Sequence, residues 1–375
     1  MENNFWKILK EKTQKENRPI VVLAPMADVT DVAFREIISK YSRSGELGGG
    51  PDVFWTEFVS ANGLDSAGRD ALVRDFEFTE NQRPIIAQIF SADSEKMYKA
   101  TKIICELGFD GVDINMGCPD KSIEKQCAGA CMIKDIPNSI NVYRAVLQAT
   151  LDFAKENNTK PIVVSVKTRI GYNDVSINEW IRALLQEKMT ALTVHLRTRK
   201  EMSKVPAHWE YVPQILKLRD EISPETLIIG NGDVMDLNHA QELYDKYKID
   251  GVMMGRAVFG NPWIFDWKKT ITKRPTRLPV FVYKILPNKW LKKILGDRRY
   301  TQSNVPQKEK MRVLLEHARL YEARLGDIKP YAIMKKHFKA YCHGFPGAKE
   351  LREKLMNTNN TDELEAVINE FSLFL

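Results

Sequence analysis

The chain has 375 residues, 43% hydrophobic and 28% charged, with a formal net charge of +7. That length fits two domains or one large α/β barrel with an appendage, and the composition excludes wholesale disorder. No apolar run reaches the roughly 18–20 residues of a membrane span, and the N-terminal stretch lacks the apolar core of a secretory signal.

Five cysteines (Cys105, Cys118, Cys127, Cys131 and Cys342) argue against a disulfide framework. A cytoplasmic monomer without stable membrane insertion is expected. In chain order, short β-branched runs recur at 20–24, 52–58, 84–90, 111–116, 161–168, 191–196, 226–231 and 250–255. Their near-continuous apolar character points to strands buried on both faces, as in a parallel sheet. Amphipathic helical patterns lie between them, for example at 94–109 and 177–189. Eight strands alternating with helices over this length describe a (β/α)8 TIM barrel. A doubly wound open sheet would begin with a Gly-rich dinucleotide turn, whereas here the first strand runs into Ala24-Pro25-Met26-Ala27.

The composition changes after Asp266. Residues 267–300 hold 11 basic groups and one acid, Asp297, so they carry +10, while 1–266 carry −5 and 301–375 carry +2. Pro275, Pro279 and Pro287 punctuate this stretch, which reads as a basic linker or insertion (267–304) with one short helix at 288–295. RNA-binding surface, an amphipathic patch on an anionic membrane and a solvated linker are all open readings of it. Beyond it, Met311, Leu314, Leu315 and Ala318 follow helical spacing, and further helices are expected at 329–342, 347–356 and 361–371. The expected organisation is a catalytic barrel over 1–266 and a small all-α domain over 305–375.

In such a barrel the active site forms at the C-terminal strand ends. Those ends here are Pro25-Met26, Gln88, Asn115, Lys167-Thr168-Arg169, His195, Asn231-Gly232-Asp233 and Gly255-Arg256. The last two sets suit a phosphate: glycines admit backbone amides to an anion, and Arg256 is a permanent bidentate cation. Lys167 and His195 suit a redox-active ring, although His195 is equally compatible with a core position. Gln88 could bond a flavin edge or tie down a loop. Cys118 follows strand four between Gly117 and Pro119, a turn that would present its thiol at the mouth as a general acid, a nucleophile or a metal ligand. Cys127 and Cys131 lack a third cysteine at 134, which is Lys134, so no metal site is expected and both are read as packing residues.

The chain resembles the tRNA-dihydrouridine synthases. The stretches that carry the resemblance are APMADVTDVAFR (24–35), TEFVSANGL (56–64), RPIIAQIF (83–90), FDGVDINMGCPDKSIEKQCAGACMIKD (109–135), VKTRIG (166–171), VHLRTRKE (194–201), IIGNGDV (228–234) and DGVMMGRAVFGNPWIF (250–265). HARLYEARLG (317–326) and MKKHFKAYCHGFPGAKELREKL (334–355) look like the family's helical domain. The resemblance implies an FMN cofactor lined by Pro25, Met26 and Ala27, contacted by Gln88 and Lys167, and supported by His195. Asn231, Gly232, Asp233, Gly255 and Arg256 would hold its phosphate, and Asn115 would face the flavin and the uracil. It implies reduction of the C5–C6 double bond of a tRNA uridine, with hydride from reduced FMN, a proton from Cys118, and NADPH as reductant. Arg197 and Arg199, with Lys200 and Lys204, would then contact the RNA. An FMN barrel acting on a free pyrimidine or small enone, as dihydroorotate dehydrogenases do, is the alternative. The segment 267–300 is longer and more basic than the short connection expected between barrel and helical domain.

Overall fold

The computed structural model describes residues 4–267 and 305–372. The basic stretch beyond 267, with its expected helix at 288–295, lies outside the described residues.

Eight parallel strands follow one another in sequence order: β1 (Ile20–Leu23), β2 (Phe54–Ser60), β3 (Ile85–Phe90), β4 (Gly111–Met116), β5 (Val163–Arg169), β6 (Ala191–His195), β7 (Leu227–Asn231) and β8 (Gly251–Met254). β1 pairs with β8, and the sheet closes on itself where β1 meets β2 at a Val22–Val53 bridge. There the Asp52 amide donates to the Val21 carbonyl at 2.8 Å. Each expected strand is present, and the TIM-barrel architecture is confirmed.

The structure separates the two faces that the apolar runs had merged. Val21, Leu23, Ile85, Ile89, Val112 and Val252 face outward into the core beneath the helices. Ile20, Val22, Val53, Trp55, Ile86, Val163, Ile229 and Met253 share a second core with Trp6 and Leu9, which forms the barrel floor. Trp6 and Leu9 belong to α1 (Phe5–Lys15), a helix that the sequence reading did not anticipate. Its buried stripe is only Trp6, Leu9 and Thr13, and charged residues dominate the rest. Asn4 caps it by accepting from the Lys7 amide at 2.9 Å. The Trp6 ring centroid lies 5.9 Å from that of Trp55.

The helix expected at 94–109 is observed as Ser94–Glu106, capped by Asp93 and ended before Gly108 at φ +74°. The one expected at 177–189 opens as a π turn, Ile177–Ile181, and continues as Arg182–Gln186. The C-terminal helices are Gln307–Leu325, Lys335–Tyr341 (preceded by a 3-10 turn, Tyr331–Met334), Ala348–Met356 and Thr361–Ser372. They do not form a free appendage. α2 (Val32–Tyr41) gives Phe34 and Ile38 to the barrel core, but Val32, Ala33, Ile37 and Tyr41 to the core of these helices. Tyr41 and Lys40 both bond the Glu316 carboxylate across that contact. No described helix is long and apolar enough to cross a membrane.

Trp6→Ala is expected to open a cavity in the floor and lower stability by about 3–5 kcal/mol. Urea unfolding of the full chain measures this; a loss under about 1 kcal/mol would mean that α1 does not plug the barrel.

Candidate active site

Above the apolar floor the barrel interior turns polar. Two residues beyond the floor layer come Gln88 on β3, Asp113 on β4 and Ser165 on β5, all buried. Gln88 Nε2 donates to Asp113 Oδ2 at 2.6 Å, and the Ser165 hydroxyl donates to Asp113 Oδ1. With its amide nitrogen committed to the carboxylate, Gln88 presents Oε1 to Asn115 Nδ2 at 3.0 Å. Asn115 is oriented in turn, so its Oδ1 accepts from the amides of Gly117 and Cys118 at 3.1 and 2.9 Å. A continuous hydrogen-bonded chain therefore runs from a carboxylate inside the barrel to the backbone of Cys118. Burial pushes the Asp113 carboxyl up to about 6, opposed by its bonds to Ser165 and Gln88 and by the nearby Lys167 charge.

Cys118 is half-buried beside Phe58, Phe90, Ile123 and Ala128. Its carbonyl accepts from the Ala130 amide at 2.8 Å. Gly129, at φ +62°, lies so close that a Cβ would sit 2.7 Å from that carbonyl, so the 127–131 loop buttresses the turn. The packing role expected for Cys127 needs correction: it is exposed, at φ +56°, while Cys131 is half-buried. Cys105 and Cys342 are buried. Burial holds the Cys118 thiol above its ordinary pKa, against a bond from the Asp120 backbone and the positive charges of Lys167 and Arg169.

Cations surround the mouth. Lys167 has no hydrogen-bond acceptor among the described residues, and burial, reinforced by Arg169, lowers its pKa to about 8. Arg169, which the sequence reading placed at the end of β5 without a role, is buried and, among the described residues, bonds carbonyls: Gly117 at 2.7 Å, Thr198 at 3.1 Å and Met202 at 3.2 Å. His195 Nε2 lies 3.1 Å from Arg197 Nη1, a group that can only donate. The imidazole is thus neutral with its proton on Nδ1; burial, then Arg169, Lys167, Arg197 and Arg256, hold its pKa well below the ordinary value.

Beside it, Gly232 adopts φ +131°, where a Cβ would meet that of Ala207 at 2.6 Å. Asn231 Nδ2 ties β7 to β8 through the Met253 carbonyl at 2.9 Å. Asp233 accepts from both Arg197 and Arg256, the latter at 2.6 Å, and leaves most of the Arg256 side chain exposed. Gly255 adjoins Met26, whose sulfur would lie 3.7 Å from a Cβ placed on the glycine. Pro25 is buried, Met26 half-buried and Ala27 exposed on the rim.

The strand ends thus bring Pro25, Met26, Gln88, Asn115, Cys118, Lys167, His195, Asn231, Gly232, Asp233, Gly255 and Arg256 to one mouth. Arg197 and Arg199 are placed differently from the expected RNA contacts. Arg197 is 2% exposed, and its guanidinium is used by Val205 O, His195 and Asp233. Arg199 forms a bidentate pair with Glu124, tying the loop after β6 to the segment after Cys118. Lys200 and Lys204 remain exposed. Asp113 and Ser165 were missed, yet strand alternation could have found them: each lies two residues from Asn115 or Lys167, on the same face. No group of three or more potential metal ligands occurs among the described residues.

A profile of the dihydrouridine synthase family matches residues 22–373. The chain is 37% identical over 374 residues to a probable tRNA-dihydrouridine synthase 2 of Bacillus subtilis, covering 99% of this chain and 97% of that protein. It is 35% identical to a probable tRNA-dihydrouridine synthase of Staphylococcus aureus, with 99% and 96% covered. A Staphylococcus epidermidis protein of the same name is 33% identical, with 99% and 97% covered.

Asp113 links the site to pH. Its carboxyl titrates near 3.8 ordinarily and at about 6 in the folded protein, so the folded state holds the proton more tightly. Its contribution is full below the unfolded value, falls by on the order of 2–3 kcal/mol as pH rises through this window, and is then level. Asp113→Asn removes that slope, so urea unfolding between about pH 4 and 6 should favour the variant increasingly over wild type. A pH-independent difference would show that this carboxyl titrates alike in both states.

Proposed function

The chain belongs to the dihydrouridine synthase family, and on that premise we propose that it reduces the C5–C6 double bond of uridines in tRNA, with Cys118 as the proton donor. The observation that carries this reading is a half-buried thiol whose turn is held at a cationic barrel mouth by the Asp113–Gln88–Asn115 chain.

The residues present fit a flavin mononucleotide. Lys167, an ammonium without a hydrogen-bond acceptor among the described residues, faces a site that also holds the neutral His195 donor. Gly232, Asn231, Gly255 and Arg256 form an edge suited to a phosphate, and Arg256 overcompensates Asp233 with help from Arg197. Pro25, Met26, Ala27, Gln88 and Asn115 are the residues that would border the flavin's ring system. When bound and reduced, with NADPH as the proposed electron source, FMN would supply hydride-transfer chemistry at this mouth.

The chain's own residues do the rest. Cys118 delivers the proton to C5; its raised pKa keeps it a thiol rather than a thiolate nucleophile, which suits an acid acting near neutral pH. Asn115 fixes the Cys118 backbone and so aims the thiol. Lys167 and Arg169 stabilise negative charge that develops on the uracil oxygens. Arg197 orients His195 and Asp233 rather than touching RNA, which leaves the outer contacts to the exposed Lys200 and Lys204. The target base must leave its stack, a cost of a few kcal/mol that backbone contacts offset. The excess of +10 in residues 267–300 suits that task.

The decisive test is tRNA lacking dihydrouridine, incubated with full-length protein, FMN and NADPH, followed by mass spectrometry of the nucleosides. Cys118→Ala should retain flavin and lose product formation by about 100-fold or more. Undiminished product in that variant would remove the assigned proton donor.

A further inference from the structure

The turn that follows β1 is gripped from outside the barrel. Residues 26–30 wrap around Met26: the amides of Val29 and Thr30 donate to its carbonyl at 3.1 and 3.0 Å, and its own amide donates to Thr30 Oγ1 at 2.9 Å. At the tip sits Asp28, a non-glycine residue held at φ +53°. Two lysines from the C-terminal helical region converge on this one residue. Lys336 donates directly to Asp28 Oδ2 at 2.8 Å. Lys329 acts one step removed: it donates to Glu57 Oε2 at 2.9 Å, and Glu57 Oε1 accepts from the Asp28 amide.

The inner pair is well buried, with side chains 15% exposed for Lys329 and 6% for Glu57. Lys329 also lies 2.7 Å from Oδ1 of the half-buried Asp75, and the buried Asp31 is close enough to interact electrostatically with Glu57 and Lys329. Burial raises the Glu57 carboxyl above its ordinary range at the end of β2, and the Lys329 cation works against that rise. Removing one partner of a buried pair leaves the other uncompensated, which is far costlier than losing a surface contact. Arg324–Glu77 and Arg74–Asp327 extend the same contact outward.

We propose that Lys329 and Lys336 are positioning residues for the cofactor: by clamping both the amide and the carboxylate of Asp28, the helical region sets the conformation of the turn that carries Met26 and Ala27. Docking of the helical region and affinity for the flavin then form one linked equilibrium, and a ligand that alters one alters the other by the same factor. The clamp rests on the reading that this turn lines FMN.

The test measures FMN dissociation from full-length protein by flavin fluorescence, together with hydrogen exchange of the 26–30 amides. Lys329→Met should weaken FMN binding on the order of tenfold and speed exchange of the turn. Lys336→Ala, at an exposed pair that tolerates substitution, should weaken it about twofold, and moderate salt should erase the difference from wild type. Lys329→Arg should restore binding, and Lys329→Met combined with Glu57→Gln should recover most of the loss by removing the uncompensated charge. Unchanged FMN affinity and unchanged exchange in both single variants would overturn the clamp and leave these lysines as structural ties, even if thermal stability fell. Should Lys329→Met fail to fold, Lys336→Ala alone decides between these outcomes. Wild-type protein that takes up no FMN would remove the cofactor reading, and the clamp with it.

Discussion

The site depends on a carboxylate placed where a barrel ordinarily has only side-chain filling. Asp113 is fully buried, and a buried charge or half-charge must be hydrogen-bonded or it destabilises the fold. That requirement fixes Ser165 and the amide nitrogen of Gln88 as donors. Gln88 can then offer only its oxygen to Asn115, and Asn115 only its oxygen to the amides of Gly117 and Cys118. Each amide side chain could face either way in isolation. The carboxylate removes the choice, and the orientation reaches the thiol turn with no flexible link between.

Much of this was legible in the sequence, and what was hidden was hidden for physical reasons. Strands buried on both faces produce apolar runs that are easy to find, and all eight appear in the structure. The same continuity conceals which residues face inward, so Asp113 read as part of a strand rather than as the base of a polar layer. Taking alternate residues backward from Lys167 and Asn115 would have reached Ser165 and Asp113. α1 escaped because its buried stripe is only Trp6, Leu9 and Thr13 within a charged segment, and its partner Trp55 is far away in sequence. Arg197 shows the opposite error. A cation in a basic loop looked like a hand for RNA, but it is the inward partner of Asp233 and His195. Charge type is visible in sequence, whereas the direction of a long side chain is decided by tertiary contacts.

The division into barrel and helices was likewise clear as a change of pattern, but their coupling was not. α2 serves two cores at once, and its apolar residues are split between opposite faces. A helix with both faces buried cannot be undocked from one side without exposing Val32, Ile37 and Tyr41. The helices beyond 307 are therefore part of the structure that surrounds the mouth. In a family whose substrate is a large RNA, such shared packing gives binding at the periphery a route to the β1 turn.

The mouth must satisfy two demands that pull against each other. Holding an anionic cofactor and an RNA calls for positive charge, and Lys167, Arg169, Arg197 and Arg256 supply it. The same field would draw the proton from Cys118 and leave a thiolate, which cannot act as an acid. Burial decides the contest, because it raises the thiol's pKa by more than Lys167 and Arg169 lower it. It acts likewise on His195, where desolvation and the cations both oppose a second proton and keep the ring neutral. The packing of Phe58, Phe90, Ile123 and Ala128 around Cys118 is thus as chemical as any polar contact. A wetter mouth with the same charges would lose the burial that raises the Cys118 thiol's pKa, and with it the basis for proposing Cys118 as an acid.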